Sequence, residues 1–105
     1  MTTQENAWRG NELAAELAKS GELKTTVMER GPLKVVFIRP NIEKTDIHQR
    51  DEVYIVTSGS IGLKVGDVDQ TLNTGDAAFV PAGAEHTFYG LSDDVQLWSV
   101  RTTPD

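Results

Sequence analysis

Short runs of β-branched and aromatic residues, separated by Gly, Ser, Asn and Asp, fill the chain from residue 33 onward. Within these runs apolar and polar positions tend to alternate, which is the period of a half-buried strand. Turn signals recur about every ten residues, a spacing typical of a β-sandwich or barrel. The dipeptide Gly66-Asp67 indicates a tight hairpin in this series. The predicted strands are LKVVFIR, EVYIVTSG, IGLKVG, DQTLNTG, AAFVPAG, HTFYGL and VQLWSV.

The segment GNELAAELAKSG, which precedes the strands, has the period of a helix. Asn11 can cap its start, Leu13 and Leu17 share one face, and Gly21 can end it. Its polar face is acidic rather than basic, so the pattern favours a packing helix or a dimer arm over a helix that lies on a membrane surface.

Composition narrows the class of protein. The 105 residues are the size of one domain, and the hydrophobic fraction of 38% is that of a soluble globular protein. No apolar stretch approaches the roughly 20 residues that a membrane span needs, and the polar start MTTQENAWRG has no signal-peptide pattern. Cysteine is absent, which excludes disulfides and thiolate metal sites and fits a cytoplasmic protein. The net charge of -6, with scattered basic residues, argues against nucleic-acid and membrane partners.

Both histidines of the chain lie in stretches that contain other potential metal ligands. In GDAAFVPAGAEH, Pro81 and Gly83 interrupt an apolar run, so the chain bends there and delivers His86 into a new strand. In TDIHQRDEVYIVTSG, His48 precedes Glu52 by four residues. Two neutral imidazoles and a carboxylate form a facial ligand set that leaves open positions on a divalent metal. Asp46, His48, Glu52 and His86 are the candidate ligands.

The stretch that ends at His86 resembles the second motif of the cupins, usually written G-x5-P-x-G-x2-H-x3-N. Gly75, Pro81, Gly83 and His86 stand at its offsets. The final position departs from the motif, because Gly90 stands in place of asparagine.

The stretch around His48 resembles the first cupin motif, G-x5-H-x-H-x3,4-E-x6-G. His48, Glu52 and Gly59 are in register with it. Two positions depart from it, since Pro40 replaces the opening glycine and Asp46 replaces the first histidine.

The resemblance is to small single-domain cupins and covers roughly residues 33–101. It implies an all-β fold, a double-stranded β-helix (jelly-roll) barrel, with a short N-terminal helix and arm in residues 1–32 of a single domain, 1–105. It also implies a metal in the mouth of the barrel and commonly a homodimer. Exposed edge strands, which small jelly rolls usually cover, also favour the homodimer.

The ligand set that the resemblance implies leaves two questions open. Asp46 can act as a fourth ligand or as a turn residue. Glu52 can bind the metal or not, since Asp51 beside it can be the solvated partner and some cupins do not use this carboxylate. If Asp46 and Glu52 both bind, their charges nearly neutralise a divalent ion and favour manganese or iron over copper. The cofactor is therefore expected to be a divalent ion, namely manganese, iron, zinc or nickel. Tyr54, Phe88 and Trp98 are interpreted as barrel core or pocket wall.

Three classes of function remain. The first is a metal-dependent isomerase, lyase or dioxygenase that acts on a small oxygenated compound in the barrel. The second is a module that binds or senses a small molecule without turnover, and the third is a structural barrel without metal. No helix-turn-helix accompanies the barrel, and no third histidine offers a second catalytic group. We favour a metal-binding cupin with a small-molecule ligand, and the sequence leaves open whether it is an enzyme.

Overall fold

The structure, a computed structural model, describes residues 6–102. In that range it has one helix and two antiparallel sheets. The elements in chain order are α1 (Gly10–Ser20), β1 (Lys24–Arg30), β2 (Leu33–Ile38), β3 (Lys44–Asp46), β4 (Glu52–Ser58), β5 (Ser60–Val65), β6 (Val68–Asn73), β7 (Ala77–Val80), β8 (His86–Tyr89) and β9 (Gln96–Thr102).

The two sheets are built mainly from strands that are distant in sequence. One sheet has the order β1-β2-β9-β4-β7, and the other has the order β3-β8-β5-β6. Every pair of neighbours is antiparallel. Crossovers between the sheets, rather than a simple meander, are typical of Greek-key and jelly-roll barrels. The predicted all-β class with a short N-terminal helix is confirmed.

The hydrophobic core lies between the sheets and draws on alternate positions of several strands. Its buried members are Tyr54, Val56, Ile61, Leu63, Leu72, Val80, Val95 and Leu97. The inward face of β4 begins at Glu52, and that of β9 ends at Arg101, and both side chains are buried. The interior of the barrel therefore changes from apolar to charged at the end where these two residues pair.

Most predicted elements are present, and the differences have local causes. The helix begins at Gly10 after Arg9, which makes no side-chain capping bond, so the predicted Asn11 cap is wrong. The left-handed Gly21 ends the helix as predicted. The pattern missed β1, an edge strand with a register shift, and β3, which is polar and only 3 residues long.

The hairpin predicted at Gly66-Asp67 joins β5 to β6, and Val65 pairs with Val68 across it. No helix in residues 6–102 is both long and apolar enough to cross a bilayer. The sheet edges are β1 and β7 in one sheet and β3 and β6 in the other. The homodimer that would cover such edges stays a prediction.

Candidate metal centre in the barrel

Two loops clamp together at the polar end of the barrel and bring the histidines close. The amide of Gly83 donates a hydrogen bond to the carbonyl oxygen of His48 at 2.7 Å. The amide of Ala82 donates to Oδ1 of Asp51 at 2.9 Å. Gly83 has a φ of 83°, in the left-handed region that favours glycine. The Pro-x-Gly break therefore bends the chain so that His86 starts β8 opposite the loop of His48.

Three of the four predicted ligands converge. One potential ligand atom from each of His48, Glu52 and His86 lies within 4.8 Å of the other two. The two imidazole rings have centroids 5.2 Å apart. Glu52 and His86 are buried, and His48 is partly exposed toward the solvent. The arrangement matches the two-histidine, one-carboxylate set that leaves positions open on a metal.

Both histidines can present a neutral nitrogen. Nδ1 of His86 lies 3.1 Å from the carbonyl oxygen of Ala84. A carbonyl oxygen can only accept a hydrogen bond, so Nδ1 carries the proton. The lone pair of Nε2 is then available to bind a metal. Partial burial and the charge of Arg50 lower the pKa of His48 below its usual 6.5, although Glu52 acts in the opposite direction. His48 is therefore neutral at neutral pH, which is the form that binds metal.

The two carboxylate oxygens of Glu52 have different surroundings. Oε2 accepts a hydrogen bond from Oγ of Ser99 at 2.8 Å and lies 3.3 Å from Nη2 of Arg101. Oε1 lies 3.9 Å from Nε2 of His48 and 3.8 Å from Nη2 of Arg50, and among the described residues it has no hydrogen-bond partner. A buried carboxylate oxygen without such a partner costs free energy. A divalent cation beside Oε1 would remove that cost, so the donor set fits a metal.

The surroundings of Glu52 include two buried cations that the sequence interpretation missed. Arg50 is 6% exposed and Arg101 is 9% exposed. Nε of Arg101 also donates to Oγ of Ser99 at 3.0 Å, so Ser99 bridges Arg101 and Glu52. The alternation along β9 contained the signal, because Ser99 and Arg101 continue the buried face of Leu97.

Asp46 is not part of the group of ligand atoms within 4.8 Å. It ends β3, where it pairs in register with His86, and its side chain is 35% exposed. Its Oδ2 lies 3.5 Å from Nζ of Lys44. Coordination by Asp46 stays a prediction, and this ion pair is a competing partner for its carboxylate.

A cavity of about 470 Å³ opens beside the triad. Tyr54 and Phe88 line it, as predicted, and their rings meet edge-on with centroids 5.0 Å apart. Burial raises the pKa of Tyr54 strongly, and the neighbouring Glu52 carboxylate raises it further, so Tyr54 stays a neutral hydroxyl. Trp98 instead packs against Phe37, with ring centroids 4.9 Å apart. The cavity is within the usual size range of small-molecule sites, about 300–1,000 Å³.

Known proteins resemble this chain in sequence and in structure. The Cupin_2 family, described as cupin domain, matches residues 35–98. The uncharacterized protein SCO3923 of Streptomyces coelicolor is 30% identical over 102 residues, which cover 94% of this chain and 97% of the relative. The structure of KdgF from a Halomonas species matches with a TM-score of 0.70 and 17% identity over 78% of each chain. A cupin-2 domain containing protein from Shewanella frigidimarina matches with a TM-score of 0.71 and 18% identity over 87% of this chain and 92% of that one.

These similarities confirm the fold that the two motifs implied. A jelly-roll β-barrel with a His/Glu/His group at one end defines the class of small cupins. The chain belongs to the Cupin_2 family of cupin domains. At the identities found, the solved structures support the fold and leave the activity to be argued from the site.

Proposed function

We propose that the protein binds one divalent metal ion per chain through His48, Glu52 and His86, and acts on a small oxygenated compound held in the barrel. The observation that carries the proposal is the convergence of three ligand atoms within 4.8 Å around a buried Glu52 oxygen that lacks a hydrogen-bond partner among the described residues. Two nitrogen donors and one oxygen donor suit manganese, iron, zinc or nickel.

The residues around the triad support this role by fixing the orientation of each ligand. The Ala84 carbonyl holds the His86 ring, and Ser99 with Arg101 holds Glu52. Such partners orient metal ligands and tune their basicity. The bound metal would act as a Lewis acid toward an oxygen of the compound in the cavity. An isomerase, lyase or dioxygenase reaction is the type of chemistry that this arrangement supports.

A binding module without turnover is the second candidate, and one observation favours it. Tyr54, an ionisable hydroxyl among the described residues that line the cavity, has its pKa raised by burial and by the Glu52 carboxylate and so stays neutral. A general acid or base works best with a pKa near the operating pH. The cavity therefore has a group suited to donating a hydrogen bond rather than to moving a proton.

The proposal is tested by calorimetric titration of chelator-treated protein with Mn²⁺ or Zn²⁺. We expect His86→Ala and Glu52→Gln to weaken metal binding by at least about 100-fold, more than the 10–100-fold typical of residues that only support ligands. The exposed Glu29 on β1 provides the matched control, since Glu29→Gln should bind as the wild type does. Equal binding by wild type, His86→Ala and Glu52→Gln would reject the metal site.

Two further variants in the same titration decide whether Asp46 coordinates the metal. If Asp46 coordinates, Asp46→Ala weakens binding on the scale of a lost ligand, and Asp46→His shifts the preference toward zinc, nickel or copper because imidazole is the softer donor. If Asp46 is held by Lys44 instead, Asp46→Ala leaves the affinity within about twofold, because a surface ion pair contributes little. The first result would show that Asp46 is a fourth ligand, and the second would show that the site has three ligands.

A further inference from the structure

Several basic side chains line the cavity beside the triad, although the protein as a whole is acidic. The whole chain has a net charge of -6. Among the described residues that line the cavity, basic side chains nevertheless outnumber acidic ones. The basic residues are Lys24, Lys44, Arg50 and Arg101, and the acidic residues are Glu22 and Asp46. A concave site with charge of one sign raises the local concentration of oppositely charged ligands.

The basic groups differ in depth, and the two deepest are the arginines. Arg50 and Arg101 are buried, whereas the side chain of Lys44 is 65% exposed and pairs with Asp46. Both guanidinium groups lie within 4.0 Å of Glu52, at 3.8 and 3.3 Å. Two guanidinium groups and the Glu52 carboxylate therefore lie together in the interior of the barrel. A metal bound by the triad would add positive charge to the same place.

The rest of the cavity wall is largely apolar. Leu97 and Ile38 come from neighbouring strands of the larger sheet, and Phe88 comes from the smaller sheet. Pro40 and Ile42 belong to the segment between β2 and β3, and Ile42 is 63% exposed. A ligand that fits this cavity has a charged end for the arginines and an apolar body for the wall.

We propose that the cavity binds a small carboxylate with an apolar body, with the carboxylate at Arg50 and Arg101 and the body against Ile38, Phe88 and Leu97. This inference rests on the proposed function, because it names the chemical class of the compound held in the same barrel. Guanidinium groups match the planar carboxylate with charge-assisted hydrogen bonds. A carboxylate head with an apolar body matches both the arginines and the apolar wall, whereas inorganic phosphate has no apolar body to place against that wall.

Benzoate and its uncharged analogue benzamide provide the test in wild-type protein. Both are titrated calorimetrically into chelator-treated and Zn²⁺-loaded protein at pH 7.5. We expect saturable benzoate binding to the chelator-treated protein, with benzamide weaker by at least about tenfold, because only benzoate makes charge-assisted hydrogen bonds. Zn²⁺ loading should tighten benzoate binding further. This comparison needs no substitution and is therefore independent of any loss of folding in a variant.

One arginine variant and its control test whether Arg50 binds the carboxylate group of benzoate. Arg50→Gln should weaken benzoate binding by about tenfold or more and leave benzamide binding unchanged. Arg30→Gln is the matched control, because Arg30 is exposed at the end of β1 and does not line the cavity. Circular dichroism confirms that each variant is folded before the titration. Benzoate binding equal to wild type in a folded Arg50→Gln would reject the assignment to the arginine pair.

The outcomes separate this inference from the metal proposal. Benzoate binding to protein that takes up no Zn²⁺ supports the carboxylate site and rejects the metal site. Zn²⁺ binding with benzoate and benzamide indistinguishable keeps the metal site and overturns the carboxylate inference. Tighter binding of inorganic phosphate than of benzoate also overturns it, because the apolar body would then contribute nothing to the affinity.

Discussion

Glu52 is the candidate ligand that contacts both a second candidate ligand and the buried polar residues behind the site. Its position four residues after His48 and seven before Gly59 made it a candidate ligand. Its partners Ser99 and Arg101 were not foreseen, since they come from a strand more than 40 residues later along the chain. Alternation predicts that these two side chains face inward, but the register of β4 with β9 decides that they meet Glu52.

Ser99 is the residue that tests this network. Ser99→Ala removes the donor to Oε2 of Glu52 and the acceptor for Nε of Arg101. We expect the free energy of unfolding to fall by about 1–3 kcal/mol, because buried polar groups lose their partners. Metal affinity should fall by about 10–100-fold, because the carboxylate loses its support. Urea denaturation and Mn²⁺ titration measure the two effects.

Ser58→Ala is the matched control, because Ser58 lies at the opposite end of β4 from Glu52. It should keep the metal affinity of the wild type. If Ser99→Ala lowers stability and binds metal with unchanged affinity, the bridge is structural and does not orient the ligand.

At the scale of secondary-structure elements, contact between two loops explains why the stretches around His48 and His86 form one site. The loop before β4 and the loop before β8 are joined by two hydrogen bonds that backbone amides of the second loop donate to oxygens of the first. The Pro-x-Gly pattern predicted the bend at Gly83, and the structure shows that the bend contacts the backbone of His48. The motif position where Gly90 replaces asparagine has a φ of 58°, a conformation that both residues tolerate. That departure is therefore conservative for the backbone.

Asp51 is the side chain that holds the loops together. Asp51→Ala removes the acceptor for the Ala82 amide, and we expect a loss of about 0.5–1.5 kcal/mol in the free energy of unfolding. Metal affinity should also decrease, since the loops position His48 and His86. Asp51→Asn keeps an acceptor at the same position and should lie closer to wild type in both measurements. Equal effects of the two substitutions would show that charge, and not the hydrogen bond, matters there.

At the scale of the whole molecule, the barrel was predictable and the charge of its interior was not. Two motifs with fixed spacing, together with regular strand spacing, were enough to indicate a cupin. A net charge of -6 describes the surface as a whole and says nothing about a cavity built from distant basic residues. The short strand β3 and the edge strand β1 were missed because their positions depend on their neighbours, β8 and β2, rather than on their own pattern.

The central claim is that the His48, Glu52 and His86 group holds a metal ion, and elemental analysis of untagged protein tests it most directly. The protein is purified without chelator, then reloaded with Mn²⁺, Fe²⁺, Zn²⁺ or Ni²⁺ and freed of excess ion, with His86→Ala treated in parallel. We predict about one equivalent of one of these metals in wild type and little in His86→Ala, because a lost ligand opens the site. Less than about a tenth of an equivalent in wild type after reloading would contradict the claim and identify the barrel as a metal-free one.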